Sequence, residues 1–479
     1  MTMDSRFLRD SNTQVWLDLS TAPGADIDLS AALRAMSELE AGAIANPDEQ
    51  RQVGHYWLRC PELTPAYSEA ITAMHRQVET LAQAPAQDVL MIGIGGSALG
   101  PELAIDALAQ HPERFHLLDS ADPDGIARTL SRVDPARTTV IVASKSGGTV
   151  EPLTSLRAAQ AHWAQSGRIF ADDAIAITCE GSALHKLAEP WKARLPMWDW
   201  VGGRTSICSA IGLLPMALLG IDWKAFVQGS RDMDAWTRRE DANPAAALAA
   251  AWVATGERNL VIEPYADRLR HLGRYLQQLI MESVGKSHHR DGRPAHHGRT
   301  VYGNKGSADQ HALVQQLRDG PDDIFVHFVE VAANATTSPV MQDAADIQFS
   351  LLYGTRAALD GVGRPTVGIT LPSVDAASLG ALIALFERTV GLYSELMDIN
   401  AYHQPGVEAG KRAAKDLIED MKRIQAALTE APQTAQVIAA ALNMDPLATW
   451  RACWHLCRTR RAAHIDGSSP TNDRFSTVR

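Results

Sequence analysis

Asp88-Val89-Leu90-Met91-Ile92-Gly93-Ile94-Gly95-Gly96-Ser97-Ala98-Leu99-Gly100-Pro101 is the stretch that sets the architecture. Its first five residues read as a buried strand, a glycine-rich turn follows, and a helix starts after the turn. A strand that feeds such a turn into a helix belongs to a parallel sheet with helices on both faces. Working outward, Phe115-His116-Leu117-Leu118, Thr138-Thr139-Val140-Ile141-Val142-Ala143 and Ala174-Ile175-Ala176-Ile177-Thr178 are further short apolar runs between helical segments. A second cycle begins at Asn259-Leu260-Val261-Ile262 and continues through Thr300-Val301-Tyr302, Ile324 to Val329 and Pro365 to Thr370. The expected fold class is therefore α/β, with two doubly wound parallel-sheet domains at residues 86–220 and 255–400. Residues 1–85 read as a helical lead-in, with Asp28 and Thr64 as N-caps of helices over 29–39 and 64–81. Residues 401–479 read as a helical arm to about 458 and then a polar tail, loose over 466–473.

Bulk properties narrow the function classes. A chain of 479 residues exceeds what one core usually serves. The formal net charge of -11 argues against nucleic acid as the main partner, because a phosphate backbone needs a basic face. The opening Met1-Thr2-Met3-Asp4-Ser5-Arg6 lacks the basic-then-apolar layout of a signal peptide. No apolar run approaches the ~20 residues that span a bilayer. The five cysteines (60, 179, 208, 453 and 457) are scattered and odd in number, which suits reduced thiols and a cytoplasmic setting. Cys453 and Cys457 read as helix packing rather than zinc ligands, and no metal or cofactor site is expected.

Ligands of open parallel sheets bind outside the carboxyl ends of strands. The turn at 93–101 lies there, and its glycines allow backbone to approach an anion beside a helix N-terminus. Ser144-Lys145-Ser146-Gly147-Gly148-Thr149 occupies the same place two strands later and adds three hydroxyls. Hydroxyls and amides at a helix start suit a phosphate dianion. Gln404-Pro405-Gly406-Val407-Glu408-Ala409-Gly410-Lys411 has the look of a third such segment. A rival reading fits the first turn as well. Gly93-x-Gly95-x-x-Ala98, with Asp119 after the next strand, matches the spacing of a nicotinamide-dependent dehydrogenase. Against it stand the duplicate anion loop and the hydroxyl of Ser97.

Four side chains supply what proton transfer needs. Glu282 stands late in an apolar helix, where it reads as a base or as a surface acid paired with Lys286 four residues on. Arg204 follows the pair Gly202-Gly203, which lets its guanidinium reach inward, or else closes a loop salt bridge. His311, near a helix start, reads as a catalytic or a structural histidine, and Lys411 completes the set. The histidine pairs 288–289 and 296–297 sit in a segment rich in Arg and Lys and read as a solvated basic loop rather than a metal cluster.

Trp198-Asp199-Trp200-Val201-Gly202-Gly203-Arg204 with Ser206, Met281-Glu282-Ser283-Val284-Gly285-Lys286, and the segment from Gln404 to Lys411 resemble the glucose-6-phosphate isomerase family in order and spacing, across roughly residues 85 to 415. The resemblance implies two sugar-isomerase domains of flavodoxin-like type and aldose–ketose interconversion of glucose 6-phosphate and fructose 6-phosphate. It implies Glu282 as the base between C1 and C2, Arg204 as stabiliser of the enediolate, and His311 with Lys411 as ring openers. Ser144, Lys145, Ser146 and Thr149 would hold the phosphate, while Gly96, Ser97, Gln278 and Gln404 would line the sugar. It also implies a homodimer in which His311 serves the neighbouring subunit's site, and the sequence is compatible with it: Trp450 and Trp454, at i and i+4, offer an apolar face for such an interface. Four positions depart from the family pattern: Gly148 replaces a threonine, Asn304-Lys305 a Glu-Pro pair, and His403 an aspartate. A sugar-phosphate-binding regulator without catalysis is the remaining alternative. It needs neither base nor ring opener.

Overall fold

The computed structural model describes residues 6–24, 26–333 and 338–478. Its contacts divide the chain into two units, Met1–His403 and Gln404–Arg479.

The first unit opens with an antiparallel hairpin of Phe7–Arg9 (β1) and Trp16–Asp18 (β2). Helices Ser30–Glu40 and Ser68–Ala82 follow. Strands Asp88–Ile92 (β3), Phe115–Leu118 (β4), Thr138–Ala143 (β5), Ala174–Thr178 (β6) and Ala193–Pro196 (β7) form one parallel sheet in the order β4-β3-β5-β6-β7. Strands Asn259–Pro264 (β8), Val301–Tyr302, Ile324–Val331 and Thr366–Leu371 form the parallel part of the other. Between β8 and the next of these, Lys286–His288 (β9) and Pro294–His297 (β10) make a separate hairpin, so Val301–Tyr302 is β11, Ile324–Val331 is β12 and Thr366–Leu371 is β13. The second sheet runs β1-β2-β13-β12-β8-β11.

Burial explains the strand composition. Every residue of β3 is buried, so the run is continuously apolar instead of alternating. Val89 and Met91 face a core that also takes Leu260 and Ile262 of the second sheet, whereas Leu90 and Ile92 face a smaller cluster with Val140 and Val142. Against the expectation that no apolar run approaches a bilayer-spanning length, the helix Ala376–Leu396 is long and apolar enough to cross one, yet 94% of its apolar window is buried inside the protein. It packs along Trp223–Thr237 and Pro244–Ala254 as the core helix.

Three further sequence expectations need correction. The lead-in is not simply helical, because β2 pairs antiparallel with β13 and extends the second sheet. The N-caps also differ. Helix Ser30–Glu40 has Leu29 at its cap, with Asp28 accepting only from the Ser30 N–H, and the next helix starts after Tyr67 rather than at Thr64. The histidine-rich segment is the β9–β10 hairpin rather than a loop, and His297 contacts the Tyr393 hydroxyl at 2.7 Å.

The second unit holds helices Pro405–Ala427, Ala435–Leu442 and Pro446–Arg458 with a small antiparallel sheet of Gln433–Thr434 (β14), Ala463–Ile465 (β15) and Arg474–Ser476 (β16). Cys453 is fully buried with Ile424, Ile438, Leu456 and Phe475, which bears out helix packing for that thiol. The stretch 466–473 is not loose. Asp473 is 6% exposed and accepts hydrogen bonds from Gly467 N, Trp450 Nε1 and Trp454 Nε1. Both tryptophans therefore pack on their own unit's core instead of offering an open face.

Candidate active site

In chain order the first sheet reads 2-1-3-4-5, and its crevice opens between β3 and β5, where the connections diverge. These strands pair in register, Ile92 beside Val142, so the turns that follow them flank one cleft. The first turn, Gly95–Ser97, is built for close backbone approach. Gly95 has φ +58°, and a Cβ there would lie 2.9 Å from Gln278 Nε2. A Cβ on Gly96 would lie 2.0 Å from the Gly203 carbonyl. Ser206 Oγ donates to the carbonyls of Gly96 and Gly203, which fastens the turn carrying Arg204 against the glycine loop. The Ser97 hydroxyl makes no hydrogen bond with a described residue.

Arg204 is buried at 6% exposure. Its Nε donates to Ser283 Oγ at 2.7 Å, one terminal nitrogen to Glu282 Oε2 at 3.3 Å, and the other to the Ala401 carbonyl. Burial pulls its pKa down while Glu282 opposes that pull. A guanidinium still stays cationic under such a load. Glu282 begins a short helix directly after the π-helical turn Gln277–Met281. A π turn widens the helix locally and frequently marks a functional position. Here it sets Gln278 Nε2 3.4 Å from Glu282 Oε1. The carboxylate is thus held by two long contacts and keeps 31% side-chain exposure. That leaves a carboxylate oxygen with room for a ligand. Its partner is not Lys286, which corrects the surface-pair reading: the buried Lys286 Nζ donates to the carbonyls of Glu282 and His403 at 2.7 and 3.0 Å. Burial, with Arg204 nearby, brings this lysine down to about 7.

The second turn leads from β5 into the helix Val150–Gln165. Ser144 Oγ accepts from Gly147 N and Ser146 Oγ from Gly148 N, so the backbone is folded back on its own hydroxyls. Gly147 has φ +68°, and a Cβ there would meet Leu184 N at 2.3 Å. Gly148 is different: a Cβ would find only Ser146 Oγ at 3.7 Å, so the missing threonine is not excluded by space. Thr149 stands at the helix cap without a capping bond, leaving its hydroxyl for a ligand beside the positive helix end. Lys145 reaches the carbonyls of Asp199 and Val201 at 2.8 and 3.3 Å, and burial lowers it to about 8 with Arg51 adding to the shift.

The fold therefore gathers Gly96, Ser97, Arg204, Gln278 and Glu282 on one side of the crevice and Ser144, Lys145, Ser146 and Thr149 on the other. It does not bring His311 to them. That residue is exposed in the turn after Gly306–Asp309, and its ring forms no hydrogen bond with a described residue. Gln404 and Lys411 belong to the second unit, at the cap and inside the helix Pro405–Ala427; the Lys411 side chain lies outside the described residues. Sequence reasoning missed Ser283 and the Ala401 carbonyl as clamps on Arg204. Ser283 had a signal, since it adjoins Glu282 on the same helix; a backbone carbonyl from a remote loop has none.

The dinucleotide reading fails on geometry. The first turn faces Gln278 and the Gly203 backbone instead of open space, and Asp119 is engaged by Arg274 at 3.2 Å. Among the described residues, the one His/Asp group compact enough for a metal ion is His464, Asp466 and Asp473 in the second unit, where Asp473 already accepts three hydrogen bonds.

Comparison with known proteins identifies the relatives of this chain. The family model described as Phosphoglucose isomerase matches residues 26–360 and 342–438. The glucose-6-phosphate isomerase of Parasynechococcus marenigrum is 45% identical, covering 96% of this chain and 91% of its own length. That of Synechococcus elongatus is 49% identical over 87% of this chain and 84% of its own. A crystal structure of a glucose-6-phosphate isomerase from Chlamydia trachomatis shares the fold, with a TM-score of 0.78 at 23% identity over 88% of this chain and 91% of that one. By family model and by sequence, the chain belongs to the phosphoglucose isomerase family.

Proposed function

We propose that this chain is a glucose-6-phosphate isomerase, interconverting glucose 6-phosphate and fructose 6-phosphate in glycolysis and gluconeogenesis through a cis-enediolate. The observation that carries the reading is the half-open Glu282 carboxylate held against the buried Arg204 guanidinium, beside a turn made for phosphate. A C–H next to a carbonyl is a weak acid, so the base needs positive charge where the enediolate develops. Glu282 takes the proton from C2 of the open-chain aldose, the electron pair moves to give the enediolate, and Arg204 stabilises its oxygens. Return of the proton to C1 leaves the ketose. Oxidation at one carbon balances reduction at the other, so the reaction needs no redox cofactor.

Ser144, Lys145, Ser146 and Thr149 hold the phosphate, and Gly96, Ser97, Gln278 and Gln404 line the sugar. His311 and Lys411 open the ring. Residues 86–220 and 255–400 are the two sugar-isomerase domains, and the enzyme works in the cytoplasm as a homodimer. His311 reaches the neighbouring subunit's site, which accords with its exposure and with a ring that forms no hydrogen bond with a described residue. Purified protein given fructose 6-phosphate should produce glucose 6-phosphate without added metal or nucleotide. Activity lost on chelation and restored by a divalent ion would overturn the metal-free part. Mixing inactive Glu282→Gln with inactive His311→Ala subunits should regain activity on exchange, because one site of each mixed dimer is intact. No recovery despite proven exchange would place the histidine in its own chain's site.

A further inference from the structure

The carboxyl end of β8 is filled quite differently from that of β3. Where β3 runs into glycine, β8 carries Glu263 just before its last residue, Pro264. Glu263 is 2% exposed, and its Oε1 is sealed from solvent with no hydrogen-bond partner. It lies against Asp309, itself 4% exposed, in the turn that leads to His311. Two carboxyls so close and so dry cannot both be ionised. The donors sort them. Asn304 gives Asp309 its backbone N–H at 2.7 Å and its amide N–H at 3.1 Å, whereas Glu263 Oε1 receives nothing.

We propose that Glu263 carries a proton, donates it as a hydrogen bond to Asp309, and so acts as the positioning residue that fixes the turn presenting His311. The proposal rests on the ring-opening role assigned to His311 above. Burial, reinforced by Asp309, raises the Glu263 carboxyl to about 9. The other titratable groups that act with it are Tyr302 from β11 and Tyr265 beyond the end of its own strand; neither supplies a positive charge. The pair also explains why asparagine suits position 304. A glutamate there would add a third carboxylate to Asp309 and Glu263, whereas the amide supplies the donor that Asp309 needs. The rest of the turn is pinned as firmly. A Cβ on Gly306 would lie 2.1 Å from the Tyr265 ring, Lys305 pairs with Asp267 at 2.9 Å, and Gln310 donates to the Leu351 carbonyl at 3.1 Å. These contacts hold the turn, while the His311 imidazole forms no hydrogen bond with a described residue, as expected of a side chain held out for use.

The test compares Glu263→Gln, Glu263→Met and His311→Ala with wild type, by thermal unfolding from pH 5 to pH 9 and by separate kcat and KM. An acid raised in the folded state binds a proton that the unfolded chain releases, so it lowers stability progressively as pH rises between its unfolded and folded values. Glutamine cannot titrate and keeps an N–H donor. The melting temperature of Glu263→Gln relative to wild type should therefore climb across this range, with kcat within about twofold of wild type. Glu263→Met, which removes the donor, should lose about tenfold in kcat with KM little changed, the signature of a misplaced group. If Glu263→Met does not fold, the pH slope and kcat of Glu263→Gln decide alone. Parallel pH profiles for Glu263→Gln and wild type would show an ionised Glu263 and overturn the proposal. So would full kcat in Glu263→Met beside an inactive His311→Ala. Full kcat in His311→Ala would instead defeat the histidine's role, and the positioning claim with it.

Discussion

Two of the arginine–carboxylate clusters in the first unit are built to opposite specifications. In one, Arg59 and Arg388 grip Asp234 at 2.6 and 2.8 Å, Glu387, Glu40 and Arg238 join them, and the Arg59 and Asp234 side chains have no exposure. In the other, Arg204 meets Glu282 at 3.3 Å and the carboxylate is 31% exposed. The closed cluster joins the lead-in to the core helix Ala376–Leu396 and leaves no room for a ligand. The open one leaves an acceptor oxygen at the mouth of a crevice. Charge content alone does not separate structure from chemistry; contact length and access do.

The largest effect expected from this contrast is on stability. Asp234→Asn leaves two buried guanidinium groups without their shared carboxylate, which should cost about 3–5 kcal/mol. Burial pushes the Asp234 carboxyl up, but Arg388 and Arg59 outweigh it and hold the group below the usual range. A depressed carboxyl stabilises the fold above its unfolded value, and that contribution is lost as pH falls toward the folded one. The deficit of the variant should accordingly shrink in acid, while kcat per folded molecule stays near wild type. Denaturant melts at neutral and acid pH read this directly; a neutral-pH loss under about 1 kcal/mol would mean that the closed cluster is not structural.

A smaller effect should appear at the phosphate turn. Ser146→Ala and Thr149→Ala each remove one neutral hydrogen bond worth about 0.5–1.5 kcal/mol, so KM should rise by a few-fold to roughly tenfold while kcat falls less. Steady-state kinetics on fructose 6-phosphate check it. Unchanged constants in both variants would move the phosphate to the glycine turn after β3.

Much of this was legible in the residues because the parallel strands are buried on both faces. Runs such as Val140 to Ala143 need no periodicity to be seen, and glycine or hydroxyl turns at their ends follow from the sheet's topology. The β1–β2 hairpin was not legible. Three-residue strands carry too little pattern, and Trp16 to Asp18 become a strand only because β13 offers a free edge. The tail misled for a related reason: its polar composition hid Asp473, whose burial is supported by two tryptophans more than fifteen residues earlier. At the site, Glu282 and Arg204 stood out as residue types in telling places. Their contact did not, since it depends on the Gly96–Gly203 backbone approach and on a π turn that no local propensity announces.

If the open pair performs chemistry while the closed one holds the fold, Glu282→Gln separates the two roles. The amide keeps the shape beside Arg204 but cannot take the C2 proton. Turnover of fructose 6-phosphate should fall by about 10²–10⁴-fold with the melting temperature close to wild type. A variant that keeps more than about a tenth of the rate, or that loses activity only because it unfolds, would contradict the account.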